Sequence, residues 1–160
     1  MSNRVFALGF SLGGTLALET SANGWAAVAC FYPDLPRNET VLRGACPVFA
    51  RFGREDLSLS NAASLLEASL MRYRVPRDVG EEDTAGHSYM SPGESAPWPI
   101  RPFTRSRGIR PDAEAADRAW TDLEAFLASV APATPEPDQR QRRSGIGRID
   151  RWWRSLRGRR

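Results

Sequence analysis

The sequence predicts an α/β fold, a mostly parallel sheet flanked by helices. Short continuous apolar runs, rich in β-branched and aromatic residues, alternate along the chain with segments of helical periodicity. Runs without polar alternation suit strands covered on both faces, as in parallel sheets. The order reads strand, helix, strand, strand, helix, strand, helix, which is the pattern of a layered α/β domain.

Arg4 to Phe10 (RVFALGF) reads as a buried strand ended by glycine. Thr15 to Thr20 continues as a helix, with Leu12, Leu16 and Glu19 or Thr20 at helical spacing. Trp25 to Tyr32 (WAAVACFY) is a second buried strand stopped by Pro33, and a loop from Asp34 to Gly44 follows. Cys46 to Phe52 (CPVFARF) is a third strand, ended by Gly53-Arg54-Glu55-Asp56. Asn61 to Tyr73 is a helix with Ala62, Leu65, Leu66, Ser69, Leu70 and Tyr73 along one face, and Ser60 or Asn61 is placed to cap it. Arg77 to Glu82 is a fourth strand whose low apolar content suggests an edge. Ser91 to Pro111 is rich in Pro, Ser and Gly without periodicity, long enough for a lid or substrate loop. Asp112 to Val130 is an amphipathic helix presenting Ala116, Ala119, Trp120, Leu123, Phe126, Leu127 and Val130.

The 160 residues fit one domain at most. Hydrophobic residues at 41% and charged residues at 26% suit a chain with a packed core rather than a disordered one. The division expected is a partial domain over residues 1–131, a disordered linker over 132–145 and a basic amphipathic tail over 146–160. The net charge of +3 describes the tail, because arginines crowd it while the remainder is acidic. Cys30 and Cys46 lie inside apolar runs and read as buried thiols in a reducing compartment. No signal peptide pattern and no membrane-length apolar run is visible, so a cytoplasmic protein is expected.

Gly9-Phe10-Ser11-Leu12-Gly13 matches G-x-S-x-G, between an apolar strand and an apolar helix. Such a serine sits on a sharp strand-to-helix turn, and flanking side chains at the two glycine positions would clash. The following helix points its N-terminus at the reacting centre, and the backbone N–H of Leu12 is a candidate oxyanion donor. A phosphate-binding loop fits less well: the P-loop lysine is absent and the glycines do not follow G-x-G-x-x-G.

A hydroxyl needs a base to take its proton, and that base needs a carboxylate to fix its tautomer. His87 is the chain's single histidine and follows the last expected strand. Asp56 follows the third. The order Ser11, Asp56, His87 is that of an α/β-hydrolase. Each gap holds about one strand–helix unit, so all three reach the carboxyl edge of one parallel sheet, where open α/β sheets bind ligands. Glu55 and Asp83 are competing acids. Asp83 lies close to His87 in sequence, and Glu55 points away if Asp56 points inward.

Together GFSLGG, CPVFARFGRED, AGHSYM and RAWTDLEAFLA resemble the dienelactone hydrolase family, over Arg4 to about Val130. The resemblance implies an α/β-hydrolase sheet lacking its N-terminal strands, and hydrolysis of small esters or lactones without metal or cofactor. It gives Ser11, Asp56 and His87 the same roles as spacing does. The best-known members use cysteine where this chain has Ser11, and an arginine for substrate carboxylate where it has Ser91. In the family about half the domain precedes the elbow strand, including the loop with the second oxyanion N–H. Only ten residues precede Ser11 here, which suggests a late start site, a split gene or a decayed remnant. The first strand is then expected to show an unpaired apolar edge prone to self-association. The alternative function is a non-catalytic remnant or interaction module.

In the tail, Ile146, Ile149, Trp152, Trp153 and Leu156 fall on one helical face opposite arginines. This pattern suits the headgroup region of anionic lipid and a peripheral membrane location; a solvated tail is the alternative, and nucleic acid is not expected.

Overall fold

The computed structural model describes residues 5–93, 97–106 and 109–130. The expected linker and basic tail lie outside the described residues.

Among the described residues four strands form one sheet: β1 (Phe6–Phe10), β2 (Ala27–Phe31), β3 (Val48–Gly53) and β4 (Arg77–Glu82). All neighbours are parallel, and the spatial order is the chain order. Each parallel step needs a crossover. Helix α1 (Leu12–Glu19) and α2 (Ala62–Arg72) supply the first and third on one face. Helix α4 (Ala113–Val130) lies on the other face, where Phe31 and Phe49 pack against its Trp120 and Phe126. A short helix α3 (Arg101–Ser106) lies in the connection before it.

The central strands β2 and β3 are buried along their whole length, as continuous apolar runs require. Leu18, Phe31, Phe49, Phe52, Leu66 and Leu70 are fully buried between the layers. Arg51 on β3 is also buried. It pairs with Asp78 on β4 at 2.8 Å and Asp122 on α4 at 3.0 Å, which ties the helix to the sheet by charge. Among the described residues β4 holds the edge position expected of it.

Several sequence expectations give way. β1 is not buried: among the described residues it is the other edge strand, and Leu8 and Phe10 are 47% and 39% exposed. α1 does not bury Leu12 and Leu16, which are 68% and 52% exposed; it buries Gly14, Ala17 and Leu18. A short helix can turn either stripe inward, and the side packed on β1 and β2 is the small-residue one. On α2 the buried residues are Ala62, Ala63, Leu66 and Leu70, while Leu65 faces solvent. Neither proposed cap of α2 forms. Asn61 takes a left-handed backbone (φ 63°) without a side-chain bond to the helix, and Ser60 Oγ donates to the Leu57 carbonyl instead. The 91–111 connection is not wholly irregular: a 3₁₀ turn (Trp98–Ile100) runs into α3. Cys30 is buried and Cys46 half-buried, both free.

Candidate active site

The parallel sheet brings three loops to its carboxyl edge. Ser11 follows β1, Asp56 follows β3 and His87 follows β4. Ser11 holds φ 49° and ψ −121°, a strained backbone for an L-residue, at the junction of β1 and α1. Its N–H still donates to the Phe31 carbonyl at 2.9 Å, so sheet pairing runs into the turn.

Close approach of strand and helix enforces this turn at Gly9. A Cβ there would sit 2.1 Å from the Gly13 carbonyl oxygen. The expectation that both flanking positions exclude a side chain holds at Gly9 only, because a Cβ at Gly13 would meet nothing within 4 Å. The second tight position is Gly14, 3.1 Å from Pro33 Cβ.

His87 Nε2 lies 3.3 Å from Ser11 Oγ, and its Nδ1 lies 2.6 Å from Asp56 Oδ2. An ionised carboxylate can only accept, so Nδ1 carries the proton and Nε2 is left to receive the serine's. Asp56 is 2% exposed. Its other oxygen accepts from the Ser58 N–H at 3.0 Å and from Ser58 Oγ at 2.5 Å. Burial pushes the Asp56 carboxyl upward, but the bonds from His87 and Ser58 outweigh it and hold the group below its usual range. The hydrogen bond to Asp56 raises His87 above its ordinary value; partial burial opposes this, and the charges of Asp56 and Asp34 add to it.

The competing acids turn outward. Glu55 pairs with Arg110 at 2.7 Å, and Asp83 with Arg54 at 2.6 Å. Leu12 is the first residue of α1, so its N–H has no acceptor within the helix. It lies one residue from Ser11, where the sequence expects an oxyanion donor.

Sequence reasoning missed two neighbours. Ser58 fixes Asp56; its signal is an Asp-x-Ser pattern at a turn, where the carboxylate caps a short 3₁₀ helix (Leu57–Leu59). Tyr32, at the end of β2, takes φ 41° and sets its ring 5.1 Å from the imidazole. Tyr89 braces that ring edge-on at 5.5 Å, and its own hydroxyl is buried without a hydrogen-bond partner among the described residues. Nothing in a strand-ending Tyr-Pro pair announces such a contact. The long 91–111 connection is pinned at the site, since His87 and Ile109 form an isolated parallel bridge.

A parallel sheet with helices on both faces and a serine on a strained strand-to-helix turn defines an α/β-hydrolase fold. The chain belongs to the dienelactone hydrolase family, whose profile matches residues 1–131. Two solved structures share the fold. One is a dienelactone hydrolase-like promiscuous phosphotriesterase, P91, from metagenomic libraries: 22% identity, TM-score 0.66, 81% of this chain and 54% of that one. The other is MGS-M1, an α/β-hydrolase enzyme from a Medee basin deep-sea metagenome library: 21% identity, TM-score 0.56, 78% and 53%. The chain thus spans about half the length of these structures. A comparison with curated proteins gives no match. Among the described residues, no helix is long and apolar enough to cross a membrane.

Proposed function

We propose that this chain is the nucleophile-bearing part of a serine hydrolase acting on small esters or lactones. The observation that carries the reading is the continuous hydrogen-bonded line from Ser11 Oγ through His87 to Asp56. Membership of a hydrolase family supports it.

In the proposed reaction His87 Nε2 takes the proton of Ser11 Oγ as the oxygen attacks the substrate carbonyl. The resulting imidazolium is held by Asp56, which stays ionised. The tetrahedral oxyanion faces the N–H of Leu12 and the positive end of α1. Collapse expels the alcohol, which receives the proton from His87, and leaves an acyl group on Ser11. Water then attacks, giving its proton to His87, and the acid leaves. No step requires a metal or cofactor.

A fluorophosphonate probe tests this. Stoichiometric labelling of the parent and none of Ser11→Ala is expected. A folded parent that resists the probe would sink the reading and leave an interaction module. For the basic tail at 146–160, contact with anionic membrane is proposed on composition alone, and vesicle pelleting with and without those residues tests it.

A further inference from the structure

We propose that Tyr89 is a positioning residue for His87, acting through the ring of Tyr32. Its effect on turnover rests on the hydrolase reading above; its effect on the imidazole does not.

Two bonds hold the imidazole at its nitrogens, Nδ1 to Asp56 at 2.6 Å and Nε2 to Ser11 at 3.3 Å. The first leaves the ring free to pivot about it, and a pivot carries Nε2 away from the hydroxyl. Tyr32, packed 5.1 Å from the imidazole, restricts that motion. It does so only while its own ring is held, because a side chain keeps one rotamer when its neighbours lock it. Tyr89 meets Tyr32 edge-on at 5.5 Å. Ser88 takes a left-handed backbone, φ 66°, which bends the loop so that His87 and Tyr89, two residues apart, both reach Tyr32.

Tyr89 is itself firmly seated. Its side chain is fully buried. Its carbonyl accepts from the Asp112 N–H at 3.1 Å. Asp112 in turn accepts from Thr84 Oγ1 at 2.9 Å and from the Ala115 N–H at 3.0 Å, in the first turn of α4. The support for Tyr32 is thereby moored to the turn after β4 and to the start of α4.

The ring carries this role and the hydroxyl does not. The hydroxyl is buried without a hydrogen-bond partner among the described residues, and desolvation pushes its pKa far up, so it stays neutral. A buried hydroxyl that gains no bond costs stability, so phenylalanine should fold as well or better. Tyr32 also stays neutral through the histidine range, since burial pushes it up to about 12. The charges acting on the imidazole are those of Asp56 and Asp34, and both are kept in every variant below.

NMR titration of the His87 ring proton in the full chain tests this, and the single histidine makes the signal unambiguous. Tyr89→Phe is expected to titrate with the parent. Tyr89→Leu is expected to lower the midpoint and to speed exchange of the Nδ1 proton. In a Tyr32→Leu background it is expected to change neither, because the ring it steadies is gone. Where esters are turned over, Tyr89→Leu should lower kcat by about 2- to 10-fold, the worth of one aromatic pair, with KM unchanged. Should Tyr89→Leu fail to fold, Tyr89→Met replaces it, since methionine fills irregular gaps. A folded Tyr89→Leu that titrates with the parent, a Tyr89→Phe that shifts with the leucine variant, or equal shifts with and without the Tyr32 ring would each overturn the proposal. The expected shifts in a parent that hydrolyses no ester would uphold it and count against the hydrolase reading.

Discussion

The ring of Tyr32 lies against the imidazole of His87, with centroids 5.1 Å apart and planes inclined by 55°. Tyr32 reaches this place through a left-handed backbone, φ 41°, that tyrosine seldom adopts. The π-face of a ring attracts a cation, by about 0.5–1 kcal/mol at such sites. Tyr32 should therefore favour the imidazolium and restrict the ring's rotation. Tyr32→Phe is expected to leave the titration of His87 unchanged, and Tyr32→Leu to lower its midpoint. The chain has one histidine, so its ring proton can be followed by NMR without ambiguity. A Leu variant titrating with the parent would remove the ring's electrostatic part.

The raised pKa of His87 sets the pH profile of the proposed hydrolase. The base must be neutral, so kcat/KM should rise with pH through a midpoint above the ordinary histidine value of 6.5. Asp56→Asn removes the bond that raises it. The variant should lose about 10⁴-fold in kcat, and its midpoint should fall. Ester hydrolysis across a pH series reads both.

Stability should have a pH limb from each partner. His87 is raised in the folded state, so its contribution is complete below the unfolded value near 6.5 and is lost as pH rises through the folded one. Asp56 is depressed, so its contribution is present above its unfolded value near 3.8 and is lost as pH falls through the folded one. Urea unfolding at stepped pH should show both limbs in the parent and neither in Asp56→Asn.

Gly9 and Gly13 should answer alanine with opposite signs. Gly9→Ala drives a methyl into backbone at 2.1 Å, which no side-chain movement relieves. Its cost should reach or exceed the ~1–3 kcal/mol of ordinary overpacking. Gly13→Ala meets open space inside a helix and should stabilise by about 0.4–1 kcal/mol. Thermal denaturation of the two variants distinguishes them; equal destabilisation would contradict the asymmetry.

The Arg51 clamp should be similarly lopsided. Its guanidinium is buried, but Asp78 and Asp122 have side chains 45% and 49% exposed. Arg51→Met leaves two acids that water can solvate. Asp78→Asn with Asp122→Asn leaves a buried cation without a counter-charge, at a cost of about 3–5 kcal/mol. Denaturant midpoints should place the double variant below Arg51→Met.

Element types were legible because a parallel sheet writes its central strands as unbroken apolar runs. WAAVACFY contains β2 and CPVFARF all of β3 but its last residue, Gly53, and the gaps after β1 and β3 hold the crossover helices. The juxtaposition of Ser11, Asp56 and His87 was legible because chain order and strand ends bring the three to one rim. Facing was not. Leu12 and Leu16 satisfy helical spacing as well as Gly14 and Leu18 do, and only the close contact of α1 with β1 decides between them. The Asn61 cap failed for a related reason: its residue type suits the place, but its backbone is left-handed. Tyr32 was hidden because a side chain's neighbour across the sheet rim leaves no periodic trace.

The sheet's spatial order copies its chain order, and this bears on how the molecule is made. Among the described residues β2, β3 and β4 each dock on the strand synthesised just before, so this part of the sheet can grow in step with translation, one crossover at a time. Ser11 emerges directly after β1, while His87 emerges after β4. The Ser11 hydroxyl thus waits for the imidazole while β2, β3 and β4 are made, and the proposed hydrolase chemistry cannot begin before His87 has joined it.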